Sequence, residues 1–203
     1  VNYSTGGGAG EHGFYVNANR TTIRYCNINT KNESGEENRR AIYFTSVQTD
    51  HARLEHNTIK TINATGIYSY RGDNFTIYNN TINVTGPYQW GRSGMQLLLL
   101  TNSNITNNRG ESANNFGFLL QSSGYNTVHN YTGISGYTTG FYVYRSSNNT
   151  ITNSLGQSTN YTGFFMWDNA TNNTLVNITA ISYENRGLRL FYAYNNTIIN
   201  STA

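Results

Sequence analysis

A glycine, once replaced by alanine, returns along this chain every 23 to 28 residues and each time opens a short apolar segment. The starts are Gly13, Ala41, Gly66, Gly94, Gly117, Gly140, Gly163 and Gly187, and the segments read GFYV, AIYF, GIYS, GMQL, GFLL, GFYV, GFFM and GLRL. Ten to thirteen residues after each start stands an aliphatic residue, in order Ile23, Leu54, Ile77, Ile105, Val128, Ile151, Leu175 and Ile198, usually preceded by Asn-Thr or a close variant. Two residues further on, six of the eight units carry Asn79, Asn107, Asn130, Asn153, Asn177 or Asn200, where the first two carry Tyr25 and His56. Three features keeping register through eight units define a repeat of about 25 residues, and a period of that length confines the chain to solenoids, propellers or arrays.

The unit itself selects among these. The first and third residues after each start are mostly apolar (Phe14 and Val16, Ile42 and Phe44, Phe141 and Val143, Phe164 and Met166), which is the alternation of a half-buried strand. The second segment alternates the same way around its aliphatic residue. No segment offers the 3.6-residue period that a crossover helix requires. The composition agrees: 33 Asn, 43 Ser plus Thr and 20 Gly among 203 residues make a poor helix former, while 14% aromatics and a net charge of +3 argue against disorder. Strands joined by tight bends, about 25 residues per circuit, describe one coil of a parallel β-solenoid, each coil pairing with the next at roughly 4.8 Å. The expectation is a single all-β domain over residues 1–203, a solenoid of about eight coils with uncapped ends. Its insertions, 29–40 and 86–93, form loops, and residues 1–12 form a Gly-rich N-terminal segment. The recurring Asn79, Asn107, Asn130, Asn153, Asn177 and Asn200 fall at a bend, where Asn tolerates left-handed backbone and its amide can bond its counterpart one coil along as a ladder.

At this point the chain resembles a known family. The strings NNTITN from Asn148, NNTLVN from Asn172 and NNTIIN from Asn195 are similar to the repeat of right-handed parallel β-helices. That group includes pectate lyases, phage tailspikes, copper-associated periplasmic proteins and many microbial and archaeal surface proteins. The resemblance implies right-handed coiling over nearly the whole chain. It does not select a function, because the fold hosts lyases, hydrolases, binders and inert stalks.

The residues supply little chemistry. Polysaccharide-cleaving members of the fold use clustered carboxylates, yet only Asp50, Asp73 and Asp168 occur, at offsets nine, seven and five from their coil starts, so they are not expected to share a site. Glu33, Glu36 and Glu37 read as a solvated loop. Arg145 and Asp168 share an offset in adjacent coils and read as a cross-coil ion pair. His12, His51, His56 and His129 have no metal-ligand spacing: His56 reads as a substitute for Asn in the ladder, and His129 faces outward after Val128. Two Met and four His are too few for a copper role. Cys26 excludes an internal disulfide and a Cys-based zinc site, and reads as a small buried filler. GAGEHG at 8–13 matches a nucleotide-loop pattern but leads into a strand rather than a helix. Arg71-Gly72-Asp73 reads as a turn. No enzyme, cofactor or metal site is expected. The small net charge argues against a nucleic-acid partner, and the lack of an 18-residue apolar stretch against membrane insertion.

Two surface features remain. Residues two and four after each start point outward, and many are aromatic: Tyr15, Tyr43, Tyr68, Tyr70, Tyr142, Tyr144, Phe165, Trp167 and Phe191, with Leu98 and Leu119 on the same face. Such a stripe marks a contact surface: a sugar-stacking groove, a lateral protein interface or the underside of a covering loop. The second feature is sixteen N-x-[ST] sequons, against about seven from composition alone. Some follow from the repeat, which places the ladder residues Asn79, Asn130, Asn177 and Asn200 in sequons; ladder Asn are expected to be partly buried and poor acceptors, and Asn2 is a further sequon. The candidates for N-glycosylation are Asn19, Asn32, Asn63, Asn74, Asn83, Asn104, Asn148, Asn160, Asn169, Asn172 and Asn195.

The two ends of the sequence fit each other. Aligning the previous coil places Ala203, followed by Val1, Asn2 and Tyr3 of a second copy, on Ala180, Ile181, Ser182 and Tyr183. Head-to-tail stacking is a heterologous contact that does not close and so builds a filament. A piece of a longer tandem solenoid, or a processed form or fragment beginning at Val1, fits the same ends, as does a monomer with polar tails. The sequence therefore points to a structural extracellular glycoprotein at the cell surface, a homopolymer forming a filament or surface layer, with adhesion as a further role and covalent N-glycans. The alternative is a carbohydrate-binding or carbohydrate-cleaving β-helix that uses the aromatic stripe.

Overall fold

The computed structural model of the chain describes residues 12–31, 39–45, 49–87 and 92–203, and the backbone of 2–3. It is all β, a parallel solenoid of about seven turns with roughly 24 residues per turn. Three parallel sheets of eight strands each run its length. The opening sheet begins with Phe14–Val16 and Arg40–Phe44 and ends with Phe164–Trp167 and Leu188–Phe191. The middle sheet runs from Thr22–Arg24 to Thr197–Ile199, in strands of three residues. The closing sheet starts at Asn2–Tyr3 and Asn27–Lys31 and reaches Thr179–Ser182, and Thr202 adds a bridge to Thr179. The expected loop over 29–40 therefore starts later, because Asn29–Lys31 still pair with Lys60–Ile62 as strand. Residues 32–38 and 88–91 of the two insertions lie outside the described residues.

Register turns the sequence repeat into columns. Phe118, Phe141 and Phe164 pair in line, as do Val128, Ile151 and Leu175. These columns point inward and are fully buried. The closing sheet adjusts to them. Its inward column is Ile28, Ile59 and Ile82 in the early coils, then Gly110, Gly133 and Gly156 where the opening sheet presents phenylalanine. A Cβ on Gly133 would stand 2.5 Å from the Gly140 carbonyl oxygen, so only glycine lets the closing strand lie this close to the next opening strand.

The bends on either side of the middle sheet are where asparagine acts. Backbone bonds align one row of left-handed residues before the sheet (Arg20, His51, Asn74, Asn102, Tyr125, Asn148, Asn172, Asn195) and a second after it (Tyr25, His56, Asn79, Asn107, Asn130, Asn153, Asn177, Asn200), all with φ between 49° and 60°. The expected ladder residues thus occupy the left-handed bend, as the sequence suggested. Their amides link only in pairs: Asn79 to His56 at 2.8 Å, Asn130 to Asn107 at 2.9 Å and Asn177 to Asn153 at 2.9 Å. Of the six, Asn107 alone is half-buried and the rest are exposed.

The continuous ladders lie one residue further on, inside the coil. In one, Asn57 donates to Asn80 Oδ1 at 2.8 Å and Asn80 to Asn108 Oδ1 at 2.9 Å. In the other, Asn126, Asn149, Asn173 and Asn196 link successively at 3.0 Å. Each Oδ1 also accepts the backbone N–H of the preceding rung, a donor that the bend removes from the sheet. Where Asn gives way in these columns, Ser103 and Ser154 accept that N–H through Oγ, and Ser123 and Ser146 do the same in a separate column after the opening sheet. A third device closes each coil. Ser158 bonds the Thr138 carbonyl one coil back and accepts the N–H of Tyr161 in its own turn. Ser112, Ser135 and Ser182 receive turn N–H groups in the same way.

Candidate functional site

The outer face of the opening sheet carries the aromatic stripe, and the structure divides it into two unequal parts. In the early coils Tyr15, Tyr43 and Tyr68 form a column edge to face, with ring centroids 5.6 and 5.5 Å apart. The His12 ring lies against Tyr15 and Tyr43, and the Arg40 guanidinium sits 3.9 Å from the Tyr68 centroid and 4.6 Å from that of Tyr43. Tyr15 and Tyr70 are exposed, and Tyr43 and Tyr68 half-buried. Burial, then Arg40 and Arg39, hold the His12 pKa below its ordinary value. Burial pushes the Tyr68 hydroxyl up.

In the later coils the same columns run through Tyr142 and Phe165, and through Tyr144, Trp167 and Phe191. All point away from the core, but Tyr142 and Phe165 are 8% and 6% exposed. With Leu119, Phe116 and Tyr144 they form a second apolar cluster outside the coil. The cover comes from side chains beside the strand: Phe116 packs on Tyr142, and Tyr161 and the Arg189 guanidinium close over Phe165. The expectation that these two residues are open platforms is corrected accordingly; burial also raises the Tyr142 pKa well above its usual value. Trp167 and Phe191, at 37% and 39%, remain open, with Tyr144 half-buried beside them. Gln96 and Gln121 interrupt the aromatic columns between the two parts.

Arg145 and Asp168 form the expected cross-coil pair at 2.6 Å, next to Tyr144 and Trp167. Asp50 and Asp73, which their offsets separated, are brought together: Asp50 Oδ1 accepts the Asp73 N–H at 3.1 Å. The extra residues before Asp50, of which 46–48 lie outside the described ones, restore the register. Asp73 Oδ1 is taken by Thr101 and Asn102, both at 2.7 Å, so the carboxylate of the RGD string is held in a turn. Among the described residues no group of three His, Cys, Asp or Glu side chains could hold a metal ion. Cys26 is a free, half-buried thiol at the core edge, and His129 bonds Thr152 Oγ1 at 2.8 Å. Glu33, Glu36, Glu37 and most of GAGEHG lie outside the described residues. No described helix is long and apolar enough to cross a membrane.

Of the eleven glycosylation candidates, Asn19, Asn74, Asn83, Asn104, Asn148, Asn160, Asn169, Asn172 and Asn195 are exposed. Asn32 lies outside the described residues. Asn63 is the correction. It occupies a left-handed bend at 8% exposure, and its Oδ1 lies where a Cβ on Gly86 would have to go, so the side chain is folded under that glycine. The ladder residues Asn79, Asn130, Asn177 and Asn200 are exposed rather than partly buried, because the interior place belongs to the following residue. None of the described strands of the opening sheet contains an asparagine, whereas Asn74, Asn79, Asn104, Asn130, Asn148, Asn172, Asn177, Asn195 and Asn200 lie on the middle sheet or its two bends.

The family model for the right-handed β-helix region matches residues 40–203. The chain belongs to the right-handed β-helix family. This supplies the hand of the coil. No curated protein and no solved structure matches the chain. As a right-handed β-helix, the protein pairs Asn2 and Tyr3 with its own Asn27 and Ile28. Those are the columns of Thr202 and Ala203 at the far end, three removed from the place the joined-coil alignment assigns to Asn2 and Tyr3. Val1 lies outside the described residues.

Proposed function

We propose that this β-helix is a structural, non-catalytic shaft of an exported surface or filament assembly, glycosylated along its middle sheet and extended by stacking of further copies on its sheet edges. The observation that carries the reading is the segregation of the two surfaces. Nine of the thirteen exposed sequon asparagines among the described residues lie on the middle sheet and its bends, while the described strands of the opening sheet present aromatics and no asparagine. Stacking is supported by the matching columns at the two edges. Leu188, Leu190 and Ile198 at one edge stand in the columns of Phe14, Val16 and Ile23 at the other, and Leu190 and Ile198 are 38% and 39% exposed. A coil laid on them continues the ladders and removes exposed strand edges. Adhesion is a further role for the aromatic face, and the location is extracellular.

Electron microscopy of the native material tests this reading. Fibres with an axial repeat of roughly 38 Å, eight rungs at the strand spacing, and side density on the middle-sheet face are the expected result. Isolated rods with unmodified asparagines overturn it. A second reading, carbohydrate binding, is favoured by Trp167 and Tyr144 standing beside the Arg145–Asp168 pair, an aromatic platform next to charged donors and acceptors. Glycan-array binding that disappears in Trp167→Ala would support it.

A further inference from the structure

We infer that the bend row before the middle sheet carries glycans on alternate rungs only, with Asn148 and Asn195 occupied together and Asn172 bare; this rests on the glycosylation proposed above. Asn148, Asn172 and Asn195 are sequons on three successive coils. The Asn148 N–H bonds the Thr171 carbonyl and the Asn172 N–H that of Tyr194, which fixes them in one row a single rung apart. All three have the same left-handed backbone, with φ of 58°, 55° and 54°, and all are exposed. Their side chains therefore leave the coil at the strand spacing of roughly 4.8 Å. A pyranose ring is about as thick as one rung is high. Glycans on neighbouring rungs would have to stack face to face, without water between them and without torsional freedom in either linkage, and that lost freedom opposes folding.

The rest of the surface shows how such crowding is otherwise avoided. In the row after the middle sheet, sequon and non-sequon residues alternate from Asn79 to Asn177 (Asn130 lies beside Asn107 and Asn153), and two sequons, Asn177 and Asn200, are neighbours only at the last rung. Asn130 and Asn177 moreover commit their amides to Asn107 and Asn153. In the row before the sheet, Asn74 is separated from Asn148 by Asn102 and Tyr125, neither of which is a sequon. Only Asn148, Asn172 and Asn195 stand consecutively there. Asn148 has Tyr125 on its other side, a 67% exposed aromatic against which a first sugar can pack. That favours Asn148 and Asn195 over Asn172 alone.

Intact-mass measurement and peptide mapping of the native protein, with a long fragment covering Asn148 to Asn195 on one molecule, test the inference. The expected result is fragments carrying two glycans at Asn148 and Asn195, with at most a minor form carrying one at Asn172. In Asn172→Gly, which keeps the left-handed bend, occupancy of the outer two should then rise only by the fraction that Asn172 had held. A molecule with glycans on adjacent rungs overturns the inference and leaves the glycosylation reading standing. So do glycans elsewhere with this row bare. Unmodified asparagine at every site overturns both.

Discussion

The buried amide ladder, rather than the exposed bend asparagines, should hold the coils together, and Asn149 offers a sharp test. Its side chain is 1% exposed. It accepts the backbone N–H and the amide of Asn126, both at 3.0 Å, and donates to Ser123 O, Ser147 O and Asn173 Oδ1 at 3.2, 3.1 and 3.0 Å. Replacement by alanine does not orphan every partner. Ser123 O keeps the Ser147 N–H, Asn173 Oδ1 keeps the Asn149 N–H, and the Asn126 amide keeps Leu100 O. The group left stranded is the buried Asn126 N–H, at roughly 1–3 kcal/mol, and the other lost bonds add about 1 kcal/mol net. Asn149→Ala should therefore destabilise the protein by about 3 kcal/mol. Asn153→Gly keeps its left-handed bend and loses one exposed amide contact, so it should cost at most ~1 kcal/mol. Asn149→Ser should recover part of the loss, since Ser154 already accepts the Tyr131 N–H through its hydroxyl. Urea unfolding followed by circular dichroism on the three variants measures this. Equal midpoints for Asn149→Ala and Asn153→Gly, or a worse midpoint for the latter, would refute the assignment of the ladder to the buried column.

Three further outcomes are expected. Gly133→Ala must push its new methyl against the Gly140 carbonyl, so it should lower stability by about 2 kcal/mol or more; a melting temperature within a degree of wild type would contradict the close packing. Tyr131 is fully buried with a hydroxyl that finds no partner among the described residues, so Tyr131→Phe should be neutral or stabilising by about 1 kcal/mol; a clear loss in thermal melting would mean that the hydroxyl is bonded. His12, whose pKa lies below its ordinary 6.5 in the folded chain, binds fewer protons there than when unfolded. Stability should be full above pH 6.5 and fall as the pH drops below it toward the folded value, and His12→Gln should flatten that part of the melting-temperature profile.

Much of this architecture was legible because the opening column stays apolar in every coil and the aliphatic column from Ile23 to Ile198 never leaves Ile, Leu or Val. The ladder was misplaced by one residue for a related reason. The bend after the middle sheet is Asn in six coils, while the buried column beside it reads Cys26, Asn57, Asn80, Asn108, Tyr131, Ser154, Ile178 and Ser201. In that column Asn57, Asn80, Asn108, Ser154 and Ser201 accept a stranded N–H while Tyr131 and Ile178 do not, so residue identity conceals it. The closing serines stood in the sequence five residues before each of the last four starts (Ser112, Ser135, Ser158, Ser182) and were readable as a period. The burial of Tyr142 and Phe165 was not, because Phe116 and Tyr161 reach over them from different places in the turn, one and two residues before the start. Asp50 and Asp73 meet because offsets counted from the coil start fail once a turn gains residues.

The exchange of bulk between the phenylalanine and glycine columns has an evolutionary consequence. From Gly117 to Gly163 every coil is 23 residues long and carries the same pair of opening phenylalanine and closing glycine, so a whole coil can be duplicated or deleted there with strand register and that pairing kept. Length in this part of the molecule is a quantity that recombination between repeats can change in single steps. The early coils, with their isoleucine pairs and inserted loops, lack that interchangeability and must change by point substitution.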